Sequence, residues 1–362
     1  MLNRKKTRVV KVRGLSIGGD APVSIQSMTN VPIENINGTI DQIRRLHNEG
    51  ADLVRLAVKN EGSISYIKRI REKVHTPLSA DIHFNHRIAI KAIEAGIDKI
   101  RINPGNIKKR QDLVDIIKAA KEYNVPIRIG VNGGSIDRKK YSSVTTQNLV
   151  DSAIQHINIL EDNDFFDILV SIKSSDLSQT IEANRVFSTM KDYPLHIGLT
   201  EAGFGLNCIV QSSIAIGSLL LQGIGDTIRV SMTGDSVEEI VIARKILESL
   251  GMRNPYIRII SCPTCGRTDS SIDILKLASM IEKELKLRFS RILKEMDKTI
   301  TVAVMGCEVN GPGEASHADV GVAGGKRGRM ILFSKGMKQR TLMTKEVVGS
   351  LIEEIEIIIE NS

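Results

Sequence analysis

Short runs of β-branched residues alternate with longer amphipathic stretches along the first two thirds of the chain. Runs such as "VSIQSM" at 23–28 and "PIRIGVN" at 126–132 have the length and composition of buried strands. Between them, stretches such as "TIDQIRRLHNEG" carry apolar residues at helical spacing, and Gly50 is placed to end that helix. We predict strands at residues 23–28, 52–58, 77–84, 99–105, 126–132, 167–173, 195–202 and 227–234. Eight such units predict a (β/α)8 TIM-type barrel.

A doubly wound parallel sheet is the alternative fold for this part of the chain. It is less favoured because no glycine-rich dinucleotide-binding turn follows the first predicted strand.

The pattern changes after the eighth predicted strand. A long helical stretch, "SSIDILKLASMIEKELKLRF", precedes the strand "TITVAVM", the paired-strand pattern "DVGVAGGKRGRMILF" and a terminal helix. This order is typical of a compact α+β unit. We therefore predict two domains, a barrel over residues 1–245 and a smaller α+β domain over 246–362.

Composition and charge narrow the class of protein. Hydrophobic residues make up 41% and charged residues 25% of the 362 positions, as in ordinary globular proteins, and no apolar run is long enough to span a bilayer. The basic run "RKKTRVVKVR" lacks the apolar core of a signal peptide, so we expect a cytoplasmic protein with this run as a solvated segment. Aromatic residues are 3% with no tryptophan, which disfavours nucleic acid as the partner of a +8 chain.

Polar side chains occupy the second half of most predicted barrel strands. They are Arg55, Asp81, His83, Arg101, Asn103, Arg128, Asn132, Lys173, Thr200, Glu201, Arg229 and Ser231. Residues two apart on a strand share a face, so pairs such as Arg101 and Asn103 point the same way. Barrel active sites lie at the carboxyl ends of the strands, which is where these residues fall.

Several cations converging inside a barrel need anions to meet them, because a buried unpaired charge is costly. One possibility is that the arginines pair with acids of the chain such as Asp81 and Glu201, or point outward between the helices. The number of cations favours a site for a small polyanion, and guanidinium groups suit phosphate oxygens. We predict a phosphate or diphosphate ester as the ligand.

Three of the four cysteines lie in two loops rich in glycine and proline. Cys262 and Cys265 form the motif "CPTCGR", and Cys307 opens "CEVNGPGE". Three thiolates in such loops fit zinc, with His317 or Cys208 as a fourth ligand, or an iron–sulfur cluster. Both remain open on spacing alone, and so do unliganded thiols.

A set of motifs, in one order along nearly the whole chain, resembles a known enzyme family. The motifs are "VSIQSMTN", "DIHF", "RINPGN", "RIGVN", "TEAG", "GIGDTIRVS", "CPTCGR" and "GCEVNGPGE". They are similar to the 4-hydroxy-3-methylbut-2-enyl diphosphate synthases of the non-mevalonate isoprenoid pathway, in the short two-domain bacterial form. The resemblance implies an oxidoreductase that opens the ring of 2-C-methyl-D-erythritol 2,4-cyclodiphosphate and removes a hydroxyl, using two electrons.

The resemblance also implies a cofactor and roles for individual residues. It places a [4Fe–4S] cluster on Cys262, Cys265, Cys307 and Glu314. It assigns substrate binding to Arg55, His83, Arg101, Asn103, Arg128, Asn132, Lys173, Thr200, Arg229, Ser231 and Asn310. Glu201 becomes the candidate for handling the proton of the departing hydroxyl, and Glu314 is the labile ligand of the catalytic cluster.

The partners implied by the resemblance are reduced flavodoxin or ferredoxin as electron donor, and a second copy of the chain. In this family the barrel of one subunit meets the cluster domain of the other, which gives a composite active site. The segment after "TEAG" departs from the family pattern, because Gln211 stands where a lysine is expected. Cys208 in the same segment is interpreted as a buried thiol rather than a ligand.

Two other functions remain as alternatives. In one, Lys173 forms a Schiff base in a phosphosugar lyase or aldolase, and zinc stabilises the C-terminal domain. In the other, the basic chain binds RNA or acts as a scaffold and the "CPTC" motif forms a zinc knuckle, which the inward-facing arginines and sparse aromatic residues disfavour.

Overall fold

A computed structural model describes residues 4–82, 85–103, 107, 109–136, 143–262, 264–266, 268–307, 311–325 and 327–361, without the side chains at positions 135, 311, 312 and 314. The chain forms two compact units, Met1–Arg253 and Asn254–Ser362. The division predicted between residues 245 and 246 would cut helix α8 (Ser236–Ser249), whose residues Ile240 and Leu247 are fully buried in the barrel core. The first unit therefore extends beyond this helix.

Eight parallel strands of the first unit form a barrel. The strands of this unit are β1 (Val10–Val12), β2 (Leu15–Ile17), β3 (Ser24–Met28), β4 (Leu53–Ala57), β5 (Leu78–Asp81), β6 (Lys99–Ile102), β7 (Ile127–Asn132), β8 (Ile168–Lys173), β9 (His196–Ile197) and β10 (Thr227–Ile228). The barrel order is β8-β7-β6-β5-β4-β3-β10-β9, and a parallel bridge between Val170 and Leu195 joins β8 to β9. The predicted TIM-type barrel is confirmed.

Helices alternate with the barrel strands, as the apolar spacing predicts. Those of the first unit are α1 (Ile36–Glu49), α2 (Ser63–Arg71), α3 (His86–Glu94), α4 (Arg110–Glu122), α5 (Thr146–Glu161), α6 (Leu177–Met190), α7 (Gly205–Leu221) and α8. Gly50 ends α1 with a φ of 118°, as predicted from its position. Helix α6 starts at Leu177, where the Asp176 side chain accepts a hydrogen bond from the backbone of Gln179.

Strands β9 and β10 are much shorter than the predicted strands at 195–202 and 227–234. A Cβ added at Gly198 would lie 2.2 Å from the carbonyl oxygen of Arg229, so these two backbone segments approach too closely for a side chain at position 198. Gly198 also has a φ of 148°, which L-residues rarely adopt. The polar residues after Ile197 and Ile228 thus lie in irregular segments beyond the ends of the strands.

Outward and inward positions of the barrel strands differ sharply in polarity. On β7, Ile127, Ile129 and Val131 belong to the large apolar core between strands and helices. Arg128, between them, is 2% exposed and points to the other face. The stability of the barrel therefore comes mainly from the layer between sheet and helices, while polar residues fill much of its interior.

An N-terminal hairpin of β1 and β2 covers the amino ends of the barrel strands. Val10, Val12 and Ile17 form a separate apolar cluster with Leu53, the first residue of β4, and Leu169, the second residue of β8. The prediction of a solvated basic segment is wrong for this part of the run. Its alternating valines are buried, while its charged residues face outward or form ion pairs such as Arg4 with Asp226 at 2.8 Å.

The second unit is a mixed sheet with helices on both faces. Its elements are β11 (Ile257–Ser261), α9 (Ile274–Glu295), β12 (Ile300–Met305), α10 (Gly311–Ser316), β13 (Val320–Gly324), β14 (Arg329–Ser334), β15 (Met337–Met343) and α11 (Val347–Glu360). Strands β11, β12 and β13 are parallel, and β13, β14 and β15 are antiparallel. Val302 and Val304 pack against α9 and α11, while Ala303 and Met305 face the side of α10.

None of the helices within the described parts of the chain is long and apolar enough to cross a membrane.

We expect Leu169→Ala to destabilise the barrel unit by about 2–5 kcal/mol, because it leaves a cavity under the N-terminal hairpin. The measurement is the urea midpoint of the tertiary unfolding transition. The control is Leu206→Ala, because Leu206 is 74% exposed and its truncation should change the free energy of unfolding by less than about 0.5 kcal/mol. Equal midpoints for the two variants would contradict the sealing role of the hairpin.

Candidate active site

A polar cavity opens at the carboxyl ends of the barrel strands. It is lined by Arg55, Arg101, Arg128, Asn132, Ser171, Lys173, Leu199, Thr200, Arg229 and Ser231. Eight of these are residues that the strand pattern singled out, contributed by β4, β6, β7 and β8 and by the segments after β9 and β10. Sites of this fold are found at this end of the barrel, so the location agrees with catalysis.

Asp81 holds two of the arginines. Its carboxylate lies 3.2 Å from the guanidinium of Arg101 and 3.7 Å from that of Arg55. Arg101 extends over Gly130, where an added Cβ would lie 2.5 Å from its Nε atom. The absence of a side chain at Gly130 therefore makes room for the guanidinium at this level of the barrel interior.

Glu239 of α8 holds a third arginine. Its carboxylate lies 3.3 Å from Arg229, accepts a hydrogen bond from the backbone of Met232 at 3.0 Å, and is within 3.4 Å of the Ser27 hydroxyl. Glu239 is only 5% exposed, so this network fixes Arg229 in a site largely shielded from water.

Arg128 and Lys173 are buried without such support. Among the residues that the structure describes, no carboxylate pairs with either of them, and the Nε atom of Arg128 has no hydrogen-bond partner. Burial, followed by the positive charges of Arg128 and Arg229, lowers the pKa of Lys173 well below its usual value. Burial and the charge of Arg55 act on the pKa of Arg128 in the same direction.

Arg55 shows the same shortage of negative charge. Burial lowers its pKa to about 10, although the carboxylate of Asp81 opposes the shift. Within the described part of the chain, four arginines and Lys173 thus face two carboxylates, Asp81 and Glu239, around a cavity that also offers hydroxyl and amide groups. An arrangement with this excess of buried positive charge suits a compact polyanion, and its guanidinium groups fit phosphate oxygens.

The other predicted site residues have different positions. Asn103 is buried beyond the end of β6 but does not line the cavity. Glu201 follows Thr200 and is exposed, with a φ of 57° in the left-handed region that a residue with a side chain rarely adopts. His83 and Asn310 lie outside the described residues.

Two contributors to the cavity were missed from the sequence. Ser171 lies two positions before Lys173 on β8, so the same rule of alternating faces would have found it. Glu239 reaches the site from a helix, and nothing in the strand pattern signals its role. The pairing with Arg229 depends on how α8 packs beside β3.

The cysteine loops follow neighbouring strands in the second unit. Cys262 comes directly after β11, Cys307 lies two residues after β12, and these strands are paired in parallel. The backbone N–H of Gly306 donates to the Cys262 sulfur at 3.1 Å. Cys307 is buried and Cys265 is exposed. The carboxyl ends of two adjacent parallel strands thus supply the thiols.

The donor set fits an iron–sulfur cluster in its chemistry, because thiolates are the usual ligands and N–H donors to sulfur stabilise their charge. Glu314 lies on α10, but its side chain is not described. Among the described side chains, no group of three histidines, cysteines or acids is spaced as a metal site. The fit therefore rests on donor type, the N–H···S hydrogen bond and strand topology.

Comparisons with known proteins cover both units. The family description "GcpE TIM-barrel domain" matches residues 7–244, and "GcpE protein C-terminal domain" matches residues 258–357. A protein of Clostridium perfringens is 48% identical over 99% of this chain and 100% of its own length. One of Caldanaerobacter subterraneus subsp. tengcongensis is 47% identical, covering 98% and 97%. Both are named 4-hydroxy-3-methylbut-2-en-1-yl diphosphate synthase (flavodoxin).

Solved structures of dihydropteroate synthases resemble the barrel. That from Stenotrophomonas maltophilia has a TM-score of 0.52 at 16% identity and covers 68% of this chain and 98% of its own. One from Yersinia pestis has a TM-score of 0.50 at 14% identity, covering 68% and 100%. At this identity the similarity shows the fold alone.

We expect Arg128→Met to weaken binding of inorganic diphosphate by about one to two orders of magnitude, since a charge-assisted hydrogen bond contributes about 1.5–3 kcal/mol. The same variant should unfold at an equal or higher urea concentration without ligand, because a buried cation lacking a carboxylate is removed. Calorimetric titration and urea unfolding measure the two effects. Arg69→Met, an exposed change on α2, is the control that should alter neither. A loss of stability without a loss of binding would contradict an anion-binding role.

Proposed function

We propose that this chain, which belongs to the GcpE family, reduces 2-C-methyl-D-erythritol 2,4-cyclodiphosphate to 4-hydroxy-3-methylbut-2-enyl diphosphate. The reaction opens the cyclic diphosphate, removes a hydroxyl as water and consumes two electrons. The observation that carries the proposal is the excess of buried cations at the carboxyl end of the barrel, in a chain about 47% identical over nearly its full length to the synthases named above.

The cations have a specific task in this reaction. Each phosphorus of the cyclic diphosphate carries one ionised oxygen, and breaking the ring at carbon leaves an additional charge on the diphosphate. Arg55, Arg101, Arg128, Lys173 and Arg229 line the cavity where this charge would develop. Groups that are already oriented toward developing charge stabilise the transition state more than the substrate, which is what accelerates a reaction.

We infer that Cys262, Cys265, Cys307 and Glu314 hold an iron–sulfur cluster of the [4Fe–4S] type. When bound, such a cluster supplies single electrons and a Lewis-acidic iron. The chain contributes thiolates from two adjacent strand ends and an N–H donor, Gly306, to one of the sulfurs. The N–H donor stabilises the negative charge of the thiolate and helps to set the orientation of Cys262.

Glu201 is the candidate for protonating the departing hydroxyl. It adjoins Thr200, which lines the cavity, and its left-handed backbone is a strained conformation of the kind that concentrates at active sites. A carboxyl group beside the cavity can deliver a proton to a leaving oxygen, which leaves as water. We assign to Asn103, Asn132, Thr200 and Ser231, with His83 and Asn310, the neutral contacts to substrate.

Reduced flavodoxin is the proposed electron donor, because the names of the relatives specify flavodoxin. The net charge of +8 favours an acidic partner of this kind, and a ferredoxin would satisfy the same electrostatic requirement. A homodimer with a composite active site and a cytoplasmic location stay predictions for this chain.

The alternative of a Schiff-base or zinc-dependent lyase is not favoured. Lys173 lies at a strand end, as a Schiff-base lysine would, but four arginines share its cavity and the relatives named above are reductive synthases.

We expect Cys307→Ala to abolish the reduction of the cyclodiphosphate, because one of three thiolate ligands is lost. For the same reason the variant should lose most of its bound iron. The measurement is product formation with reduced flavodoxin under anaerobic conditions, together with iron, labile sulfide and zinc per chain. Wild-type protein should contain about four irons and four sulfides for a [4Fe–4S] cluster.

Cys208→Ala is the matched control for this experiment. Cys208 is fully buried in the barrel unit, where burial raises the pKa of its thiol, so its loss should leave iron content and turnover unchanged. Full activity of Cys307→Ala, or stoichiometric zinc that survives anaerobic reconstitution with iron and sulfide, would refute the reductive cluster.

We expect Glu201→Gln to lower kcat by about two to four orders of magnitude, the usual contribution of general acid–base catalysis, while the Kd for the cyclodiphosphate changes by less than about threefold. The split is expected because the amide keeps the shape of the side chain but cannot donate the same proton. Single-turnover kinetics and calorimetry measure the two quantities. Glu238→Gln, an exposed change beside Glu239, is the control. An unchanged kcat would remove Glu201 from the chemistry.

A further inference from the structure

A second layer of polar residues lies inside the barrel, one inward position below the cavity. Its members are Gln26, Ser79, Lys99, His196 and Thr227, each at most 1% exposed. On their strands, Ser79 precedes Asp81 and Lys99 precedes Arg101 by two positions, so each shares a face with a residue of the cation site. None of these five residues lines the cavity itself.

Lys99 is the unusual member of this layer. Its Nζ atom donates to the Oε1 atom of Gln26 at 2.9 Å. Strands β3 and β6 are separated by β4 and β5 in the sheet, so this hydrogen bond crosses the barrel interior. Within the described parts of the chain, no carboxylate forms an ion pair with Lys99. A neutral amide is a weak partner for an ammonium group that is fully removed from water.

The charges around Lys99 are mostly positive. Arg101 lies on its own strand, Arg55 on β4, Arg128 on β7 and Arg229 directly after β10, and Lys173 on β8 is a second buried amine. The carboxylate of Asp81 on β5 is already shared by two arginines. Burial, then the charges of Arg128 and Arg55, lower the pKa of Lys99 well below its usual value. These conditions favour the uncharged amine in the free protein.

His196 of β9 is the other titratable side chain of the layer. Its Nδ1 atom lies 3.5 Å from the hydroxyl of Thr227, and its Nε2 atom has no hydrogen-bond partner. Burial, followed by the positive charge of Arg128, lowers the pKa of His196 well below its usual value. An imidazole starts from a lower pKa than an amine, so Lys99 is the group that a nearby anion can more readily charge.

An anion in the cavity reverses the local electrostatics. Its charges offset those of Arg128 and Arg55, which disfavour an ammonium group at Lys99 in addition to burial. We propose that Lys99 takes up a proton when a polyanion fills the cavity, so that the amine, neutral in the free protein, becomes one more cation beneath the bound diphosphate. This inference rests on the proposed function for the identity of the ligand, but not for the charge change.

Calorimetric titration of the anaerobic holoprotein tests the proposal, with the cyclodiphosphate as ligand and no reductant. Each titration is repeated in buffers with different ionisation enthalpies, because the dependence on buffer gives the number of protons taken up. The cyclic diphosphate has no oxygen that titrates near neutral pH, so uptake reports on the protein. The relevant pH range lies between the pKa of Lys99 in the free protein and its pKa in the complex. Within this range the wild type should take up close to one proton per ligand, and its affinity for the ligand should fall as pH rises.

Lys99→Met should remove this uptake and flatten the pH dependence of affinity. The ratio of the Kd of the variant to that of wild type should be largest at the low-pH end of the window. It should fall as pH rises, by up to about tenfold per pH unit. Lys68→Met, an exposed change on α2, is the matched control and should behave as wild type. Binding without proton uptake in wild type overturns the proposal, whether or not the variant folds. Uptake that persists in Lys99→Met but disappears in His196→Asn or in Lys173→Met overturns the assignment to Lys99.

Failure of the proposed function gives a different result. If the cyclodiphosphate does not bind, the substrate assignment is wrong, and sulfate becomes the probe because it is also a dianion that does not titrate near neutral pH. Proton uptake with sulfate that is lost in Lys99→Met supports the role of Lys99 independently of the substrate. Sulfate binding without uptake overturns that role, as does a cavity that binds neither anion.

Discussion

Buried positive charge inside the barrel is the constraint to which the rest of the first unit is fitted. Arg128 and Lys173 have no carboxylate partner among the described residues, and a charge in such a position costs several kcal/mol to bury. The interior of the barrel therefore contributes little to stability. Compensation comes from the apolar layer between strands and helices and from the hairpin cluster around Leu53 and Leu169 at the opposite end. Because the apolar packing lies outside the strands and at the amino end of the barrel, the carboxyl end can hold charge while the hairpin closes the amino end to water.

The alternation of apolar and polar residues made most of this architecture predictable. The eight barrel strands occur in the predicted order because each carries an apolar face that must be buried against helices. The N-terminal hairpin was not predicted, since the charges of "RKKTRVVKVR" obscure the alternation of Val10 and Val12. The short β9 and β10 were also unforeseen. Their length depends on the close approach of Gly198 to the backbone of Arg229, a contact between segments far apart in sequence.

The residues of the candidate site also differ in whether local sequence or tertiary packing determines their position. Residues that point inward by strand alternation, such as Arg101 and Arg128, could be found from spacing alone because a strand fixes the direction of its side chains. Glu239 could not, because its role depends on the packing of α8 beside β3 and on a contact with Arg229. The three cysteines proposed as ligands were singled out for another reason. Their place in two glycine-rich loops suggests metal or redox chemistry without knowledge of the fold, and only the family resemblance narrows it to an iron–sulfur cluster.

The choice of residue types inside the barrel reflects a conflict between binding and folding. A guanidinium remains charged even when buried, so every additional arginine would strengthen the field for a diphosphate and also raise the cost of the empty site. A lysine can give up its proton when burial disfavours the charge. Lys99, placed beneath four arginines and bonded to the neutral Gln26, is suited to being uncharged in the empty site and charged in the filled one. The reaction itself adds negative charge to the diphosphate, so a group that gains positive charge with the ligand stabilises binding without adding to the cost of folding.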